Sequence, residues 1–333
     1  MRRTRLTAIA ALLVSSALLA GCTGALPSPD PEPAPSIAQP VLTPGQVERA
    51  AQRISLALDQ ADLARDAAML PGVLNGPAAQ IRAAQYIAAE DVGDDALTVL
   101  PPALQTSVIS TTEQWPRSLF VVTEQPENLE PQRLVVLRQA SARENYQMWG
   151  WVRLFPGAEL PAFDQSTTGS AEVTDSSGLS ADITETLDQY VDVLNNGTDS
   201  SFAGAFGADV LRQTIEARRA ELGEALTPIE GDYRYQVTRP EGADGAPIAW
   251  RTADGGALVV AALTATERAR GPQGASIRPD DVTRALLGDT KVSNRLFVDR
   301  QIVVALAIPP TGSADEISVV GAENVRIAAR TSN

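Results

Sequence analysis

Apolar residues in this chain switch between two spacings, and the order of the switches limits the folds open to it. Val47, Ala50, Ala51, Ile54, Leu58 and Ala61 recur at helical intervals. Thr43-Pro44-Gly45-Gln46 marks the start: a threonine cap, a proline at the first helical position and a glutamine placed to close a capping box. After the Asn75-Gly76-Pro77 break, Ile81, Ala84 and Ile87 continue a second helix. The pattern then changes to runs rich in β-branched and aromatic residues at 118–124, 133–139 and 146–155, which predict strands. The second half repeats the order. Ile183, Leu187, Tyr190, Val191 and Leu194 predict a helix, Asn195-Asn196-Gly197 a break, and 210–222 another helix. Strand-like runs follow at 233–239, 247–252, 257–266, 297–308 and 324–329, with a short helix within 278–287. Helices followed by consecutive strands predict an α+β fold with antiparallel pairing, not a parallel βαβ arrangement.

The body of the chain, about 290 residues, exceeds what one ordinary small core serves. Two tandem domains are therefore expected, at 43–164 and 179–331, each with N-terminal helices packed on a curved antiparallel β-sheet. The Ser/Thr/Gly-rich stretch 165–178 is expected to join them as a polar linker with little to bury. In outline each half resembles the NTF2-like or cystatin-like class, a likeness of architecture that carries no function.

Residues 1–42 read as an address. Arg2, Arg3 and Arg5 precede a charge-free run at 6–19, too short to cross a bilayer as a mature helix. Leu19-Ala20-Gly21-Cys22 resembles the lipobox of bacterial lipoproteins. The resemblance implies removal of 1–21 as a signal peptide and a diacylglyceryl group, with palmitate-class chains, on the Cys22 thiol. Two acyl chains, at roughly 0.8 kcal/mol per buried CH₂, hold without help from a basic patch. Prolines 27, 29, 31, 33, 35 and 40 make 22–42 an extended tether. The expected partner is thus the lipid bilayer, reached through Cys22 at the extracytoplasmic face of the cell membrane. The block from Trp115 (WPRSLFVVTEQPENLEPQRLVVLRQASARENYQMWGWVRLFPG), with NGPA at 75–78 and AAQY at 83–86, is similar to a family of actinobacterial lipoproteins of unassigned function. That resemblance implies the anchor and the tandem layout, and offers no catalytic or binding residue to transfer.

Composition removes much of the chemical menu. There is no histidine, and Cys22 is the single cysteine. No intrachain disulfide, Cys nucleophile, Ser-His-Asp triad or histidine-based metal site can be built, and no cofactor or metal is expected. The formal net charge is −14, and loss of Arg2, Arg3 and Arg5 would leave the mature chain more acidic still. Such a surface repels nucleic acid, which is excluded as a partner. Between Arg153 and Arg212 there is no basic residue, so 154–211 is one-signed. It suits either a divalent cation or basic partner, or simply a solvated face. Glu90-Asp91-Val92-Gly93-Asp94-Asp95 gathers acids around a glycine but lacks the ligand spacing of a calcium loop. Asp280-Asp281 favour a helix start. Lys291 and Ser293 are neighbours without further sign of a dyad, and Asn196-Gly197-Thr198 marks a turn.

The sharpest candidate site lies in 146–155. Strand alternation places Tyr146, Met148, Gly150, Val152 and Leu154 on one face and Gln147, Trp149, Trp151, Arg153 and Phe155 on the other. Trp149, Trp151 and Arg153 would then stack a planar or apolar ligand, or line a partner interface. The competing reading is that both tryptophans fill a core or a seam between domains. These features together predict a non-catalytic binding or interaction module of the envelope, with an envelope protein or a small ligand as partner. The alternatives are a solute-binding lipoprotein of a transporter, which needs parallel lobes, and a carboxylate-based hydrolase.

Overall fold

The computed structural model describes residues 38–125, 130–288 and 292–331. The signal peptide, Cys22 and most of the tether lie outside the described residues, as does Lys291. Helices α1 (Pro44–Ala64) and α2 (Gly76–Val92) open the fold and lead into strands β1 (Leu104–Thr111), β2 (Arg117–Thr123), β3 (Arg133–Gln139) and β4 (Gln147–Leu154). A short β5 (Ser170–Ala171) follows, then α3 (Ile183–Asn196) and α4 (Val210–Leu226). Strands β6 (Asp232–Thr238), β7 (Ile248–Arg251) and β8 (Ala257–Arg270), helix α5 (Asp281–Leu287), and strands β9 (Arg295–Ile308) and β10 (Ser318–Thr331) complete it. The class is α+β, and the strands form one large sheet in the order β5-β1-β2-β3-β4-β10-β9-β8-β6, with β7 also on β8. All pairings among these strands are antiparallel except β1 with β5.

Local signals act where the spacing predicts them. Thr43 N–H donates to the Gln46 side chain at 2.7 Å, half of the capping box. Asp182, Asp209 and Asp280 cap α3, α4 and α5, each accepting from a backbone N–H three residues on at 2.8–2.9 Å. Ile87, expected on the apolar stripe of α2, instead faces solvent at 47% exposure. The face that α2 buries is wider and holds Ala78, Ile81, Arg82, Gln85, Tyr86 and Ala89. Small residues let it lie close to β4, β9 and β10.

Residues 43–164 and 179–331, expected as separate domains, share one sheet and one core. Gly321 and Ala322 of β10 pair with Leu154 and Arg153 of β4, which joins the halves. One apolar cluster unites Ile54, Phe120 and Trp151 with Trp250, Leu258, Val303 and Val320. The other face of β8 and β9, with Val259, Leu263, Ile302 and Val304, packs under α3 and α4. These two strands are thus buried on both faces, so their sheet cannot be the one-sided floor of a separate domain.

The stretch 165–178 is likewise built into the fold. Ser170 pairs with Ser110 and Ala171 with Thr111. The Glu172 carboxylate accepts from the Ser118 N–H at 3.1 Å and from the Ser118 hydroxyl. Glu172 also bridges to Trp250, and Val173 N–H donates to Ala249 O at 2.9 Å. The tether ends earlier than its composition suggests, since Val41 and Leu42 pack on the core and Val41 N–H donates to Ser110 O.

Candidate functional site

The apolar stripe of α1 does not close fully on the sheet. Beneath it lies a cavity of about 320 Å³, at the low end of the range that holds small-molecule ligands. Ile54 and Leu58 of α1 and Leu97 and Leu100 of the loop after α2 form its roof, and Val121, Val135, Leu137 and Met148 its floor. One wall is polar. Arg82, 1% exposed, lines it from α2. Its Nη2 donates to Thr98 O at 2.9 Å, and its Nε stands 3.6 Å from Asp62 Oδ1. Its Nε and Nη1 have no hydrogen-bond acceptor. Burial holds the Arg82 pKa below its ordinary value, against the pull of Asp62 and Tyr86. Tyr86 O–H donates to Asp62 at 2.7 Å; burial and that bond push the phenol up. The Gln85 amide and Thr98 bond each other through side chain and backbone, fixing the loop that carries Leu97 and Leu100. The chamber thus combines apolar roof and floor with a polar wall of Asp59, Asp62, Asp94, Thr98 and Arg82.

The three residues singled out on 146–155 do not converge. Pairing of β3 with β4 slips between Val136, opposite Gly150, and Leu137, opposite Met148. The bulge inserts Trp149 as an extra residue and reverses the alternation, so Met148 and Trp151 share a face. Trp151 is fully buried, with the Arg82 guanidinium over its ring at 5.6 Å. Trp149, 5% exposed, packs on Gly76, where φ is +51° and an added Cβ would meet the indole at 2.8 Å. It lines a separate hollow with Asn75, Arg138 and Gln301. Arg153 is exposed and lines a third site, with Arg133 and Arg300.

The acids of 154–211 are mostly engaged within the fold. Beyond the caps and Glu172, Asp188 binds Arg239 at 2.8 and 3.0 Å, and Asp192 accepts from Asn196 and Ser200. In the Glu90–Asp95 segment, which spans the end of α2, Asp94 binds Arg65 at 2.7 Å. Among the described residues no three His, Cys, Asp or Glu side chains are grouped to hold a metal ion. Ser293 bonds Thr331.

Arg82 is the residue that strand-centred reading missed. Its signal is the one positive charge of α2, set among alanines, with Gln85 and Tyr86 at the i+3 and i+4 positions of the same face.

Residues 38–331, the whole span of the sheet and its helices, match the family model for a domain of unknown function, DUF8094. The chain belongs to the DUF8094 family. A relative from Streptomyces avermitilis, described as an uncharacterized lipoprotein, is 28% identical over 287 residues, covering 83% of this chain and 82% of the relative. No solved structure matches this DUF8094 chain. Among the described residues no helix is long and apolar enough to cross a membrane.

Proposed function

We propose that this DUF8094 protein is a lipid-anchored, non-catalytic binding module of the cell envelope, and that the cavity under α1 receives its ligand. The anchor rests on the lipobox ending in Cys22 and on the lipoprotein description of the Streptomyces relative. A non-catalytic role agrees with the absence of histidine and the single cysteine. The observation that carries the binding assignment is a chamber of about 320 Å³ with apolar roof and floor, whose polar wall includes the buried Arg82 guanidinium, two of its N–H groups without an acceptor. An unsatisfied buried donor costs about 1–3 kcal/mol, which a ligand acceptor recovers on binding. The ligand is therefore a compact, largely apolar molecule with a carbonyl, ester or similar oxygen. Hairpin-connected strands do not supply the parallel lobes of a transporter's solute-binding protein.

The test is titration of the full chain, extracted in neutral detergent, with the apolar fluorophore N-phenyl-1-naphthylamine. Leu58→Trp fills the chamber and is expected to weaken binding about ten-fold or more, with circular dichroism unchanged. Equal affinity of wild type and a folded Leu58→Trp would reject the cavity as the site.

A further inference from the structure

A second cavity, where α4 meets the β4–β10 junction, carries positive charge in a protein whose net charge is −14. Arg133 and Arg153 sit directly across from one another on β3 and β4, an arrangement in which like charges repel. Arg133 is 4% exposed, and while its Nη2 donates to Glu130 at 2.7 Å, its Nε and Nη1 have no acceptor. Arg153 makes no hydrogen bond or ion pair among the described residues. Arg300 enters from β9, its Nη1 held 3.2 Å from both oxygens of Asn324 and its Nε by Glu267. Glu267 is shared with Arg218 and Tyr233, so it only partly offsets Arg300. The space among these groups and the first turn of α4 measures about 200 Å³.

We infer that this cleft binds a phosphate-class oxyanion, seated between Arg133 and Arg153 within reach of Arg300. Such an ion fills the unused donors of a buried guanidinium and relieves the cross-strand repulsion, which a cation or an apolar group cannot do. Glu323 lines the same cleft with Oε2 unpartnered. Burial holds its carboxyl above the usual range although Arg133 and Arg153 pull it down. Arg133, Arg153 and Arg300 outnumber this one carboxyl among the groups that line the cleft. The site is separate from the α1 cavity, so either assignment can fail alone.

Calorimetric titration of the full chain in neutral detergent decides it, using two soluble probes: inorganic phosphate and glycerophosphoglycerol, the deacylated diester headgroup. Binding of phosphate alone identifies a free anion, and tighter binding of the diester identifies a lipid headgroup. Arg153 is exposed, so Arg153→Gln should fold normally and bind the preferred probe about ten-fold more weakly or worse. Glu323→Gln should retain binding at neutral pH. No heat with either probe, or undiminished affinity in Arg153→Gln, overturns the assignment.

Discussion

The two helical roofs of the sheet make opposite use of the same pattern. α3 presses Ile183, Leu187, Tyr190 and Leu194 into a continuous cluster with Val237, Leu263 and Val304. α1 presents Val47, Ile54, Leu58 and Ala61 in the same way, yet leaves a chamber beneath it. The difference lies in the polar groups at the seam. Under α3, the Tyr190 hydroxyl donates to Asp209 Oδ1, which also caps α4, and Asp209 Oδ2, without a hydrogen bond, stands 3.9 Å from Arg212. Beside α1, Asp59 and Asp62 border the chamber, and Asp62 shares Arg82 and Tyr86 without satisfying Arg82. Amphipathic spacing tells which face of a helix is buried; the partners of its inward polar groups decide how close it comes.

The largest effect is expected where the halves share a core. Trp250 is fully buried and meets Phe120 edge-on at 5.0 Å, so Trp250→Ala should cost about 3–5 kcal/mol in urea unfolding. It should also lower stability in one transition. Two resolved transitions would restore the independent-domain layout.

Next comes the direct contrast of the roofs. Leu187→Ala, under the close roof, should cost about 2–5 kcal/mol, whereas Leu58→Ala should cost about 1–2 because part of its surface already faces a void. Equal losses would mean that the α1 chamber is filled in the protein as purified.

A smaller effect follows from Asp209. Burial raises its pKa, outweighing the Arg212 backbone N–H, the Tyr190 hydroxyl and the Arg212 charge. The folded state therefore holds that proton longer than the unfolded chain does. This acid's contribution to stability is fully present below its unfolded pKa and is lost as pH rises through the folded value. Asp209→Asn keeps a competent cap and should flatten that part of the decline in melting temperature as pH rises above the ordinary aspartate range. A decline identical to wild type would place the titration elsewhere.

Smallest of all is the surface pair of Asp188 on α3 with Arg239. Arg239→Gln should change stability by about 0.2–1 kcal/mol, reduced further by salt. A loss several times larger would make α3 depend on its rim as much as on its core.

Sequence pattern served best where the determining interaction is local. The Thr43–Gln46 pairing, the Asp280 cap and the hydrophobic face of α3 were all legible from a few neighbouring residues. β1 was missed because Leu104-Gln105-Thr106-Ser107 shows little apolar character, and only Val108, Ile109 and Ser110 are buried. The division into halves failed for a different reason. ALVVAALTA at 257–265 and QIVVALAI at 301–308 are unbroken apolar runs, the signature of strands covered on both faces. Spacing alone reads them as ordinary strands and gives no sign that the first half supplies their second covering. Nor does composition reveal that the Ser170 backbone pairs with β1 and that Glu172 spends its carboxylate inside the sheet. Trp149 and Trp151 were separated by a bulge, which strict alternation has no means to anticipate.

Unpaired sheet borders are templates for strands from neighbouring molecules. Here the 170–173 segment runs from β1 to β7, bonding to both borders with only a few residues of its own. The remaining border, β6, turns Arg234 outward, and a charge there discourages pairing. For chains that the proposed anchor would crowd into two dimensions, that stitch guards against aggregation. Its loss, as in Glu172→Ala, would first appear as clustering of protein in the membrane.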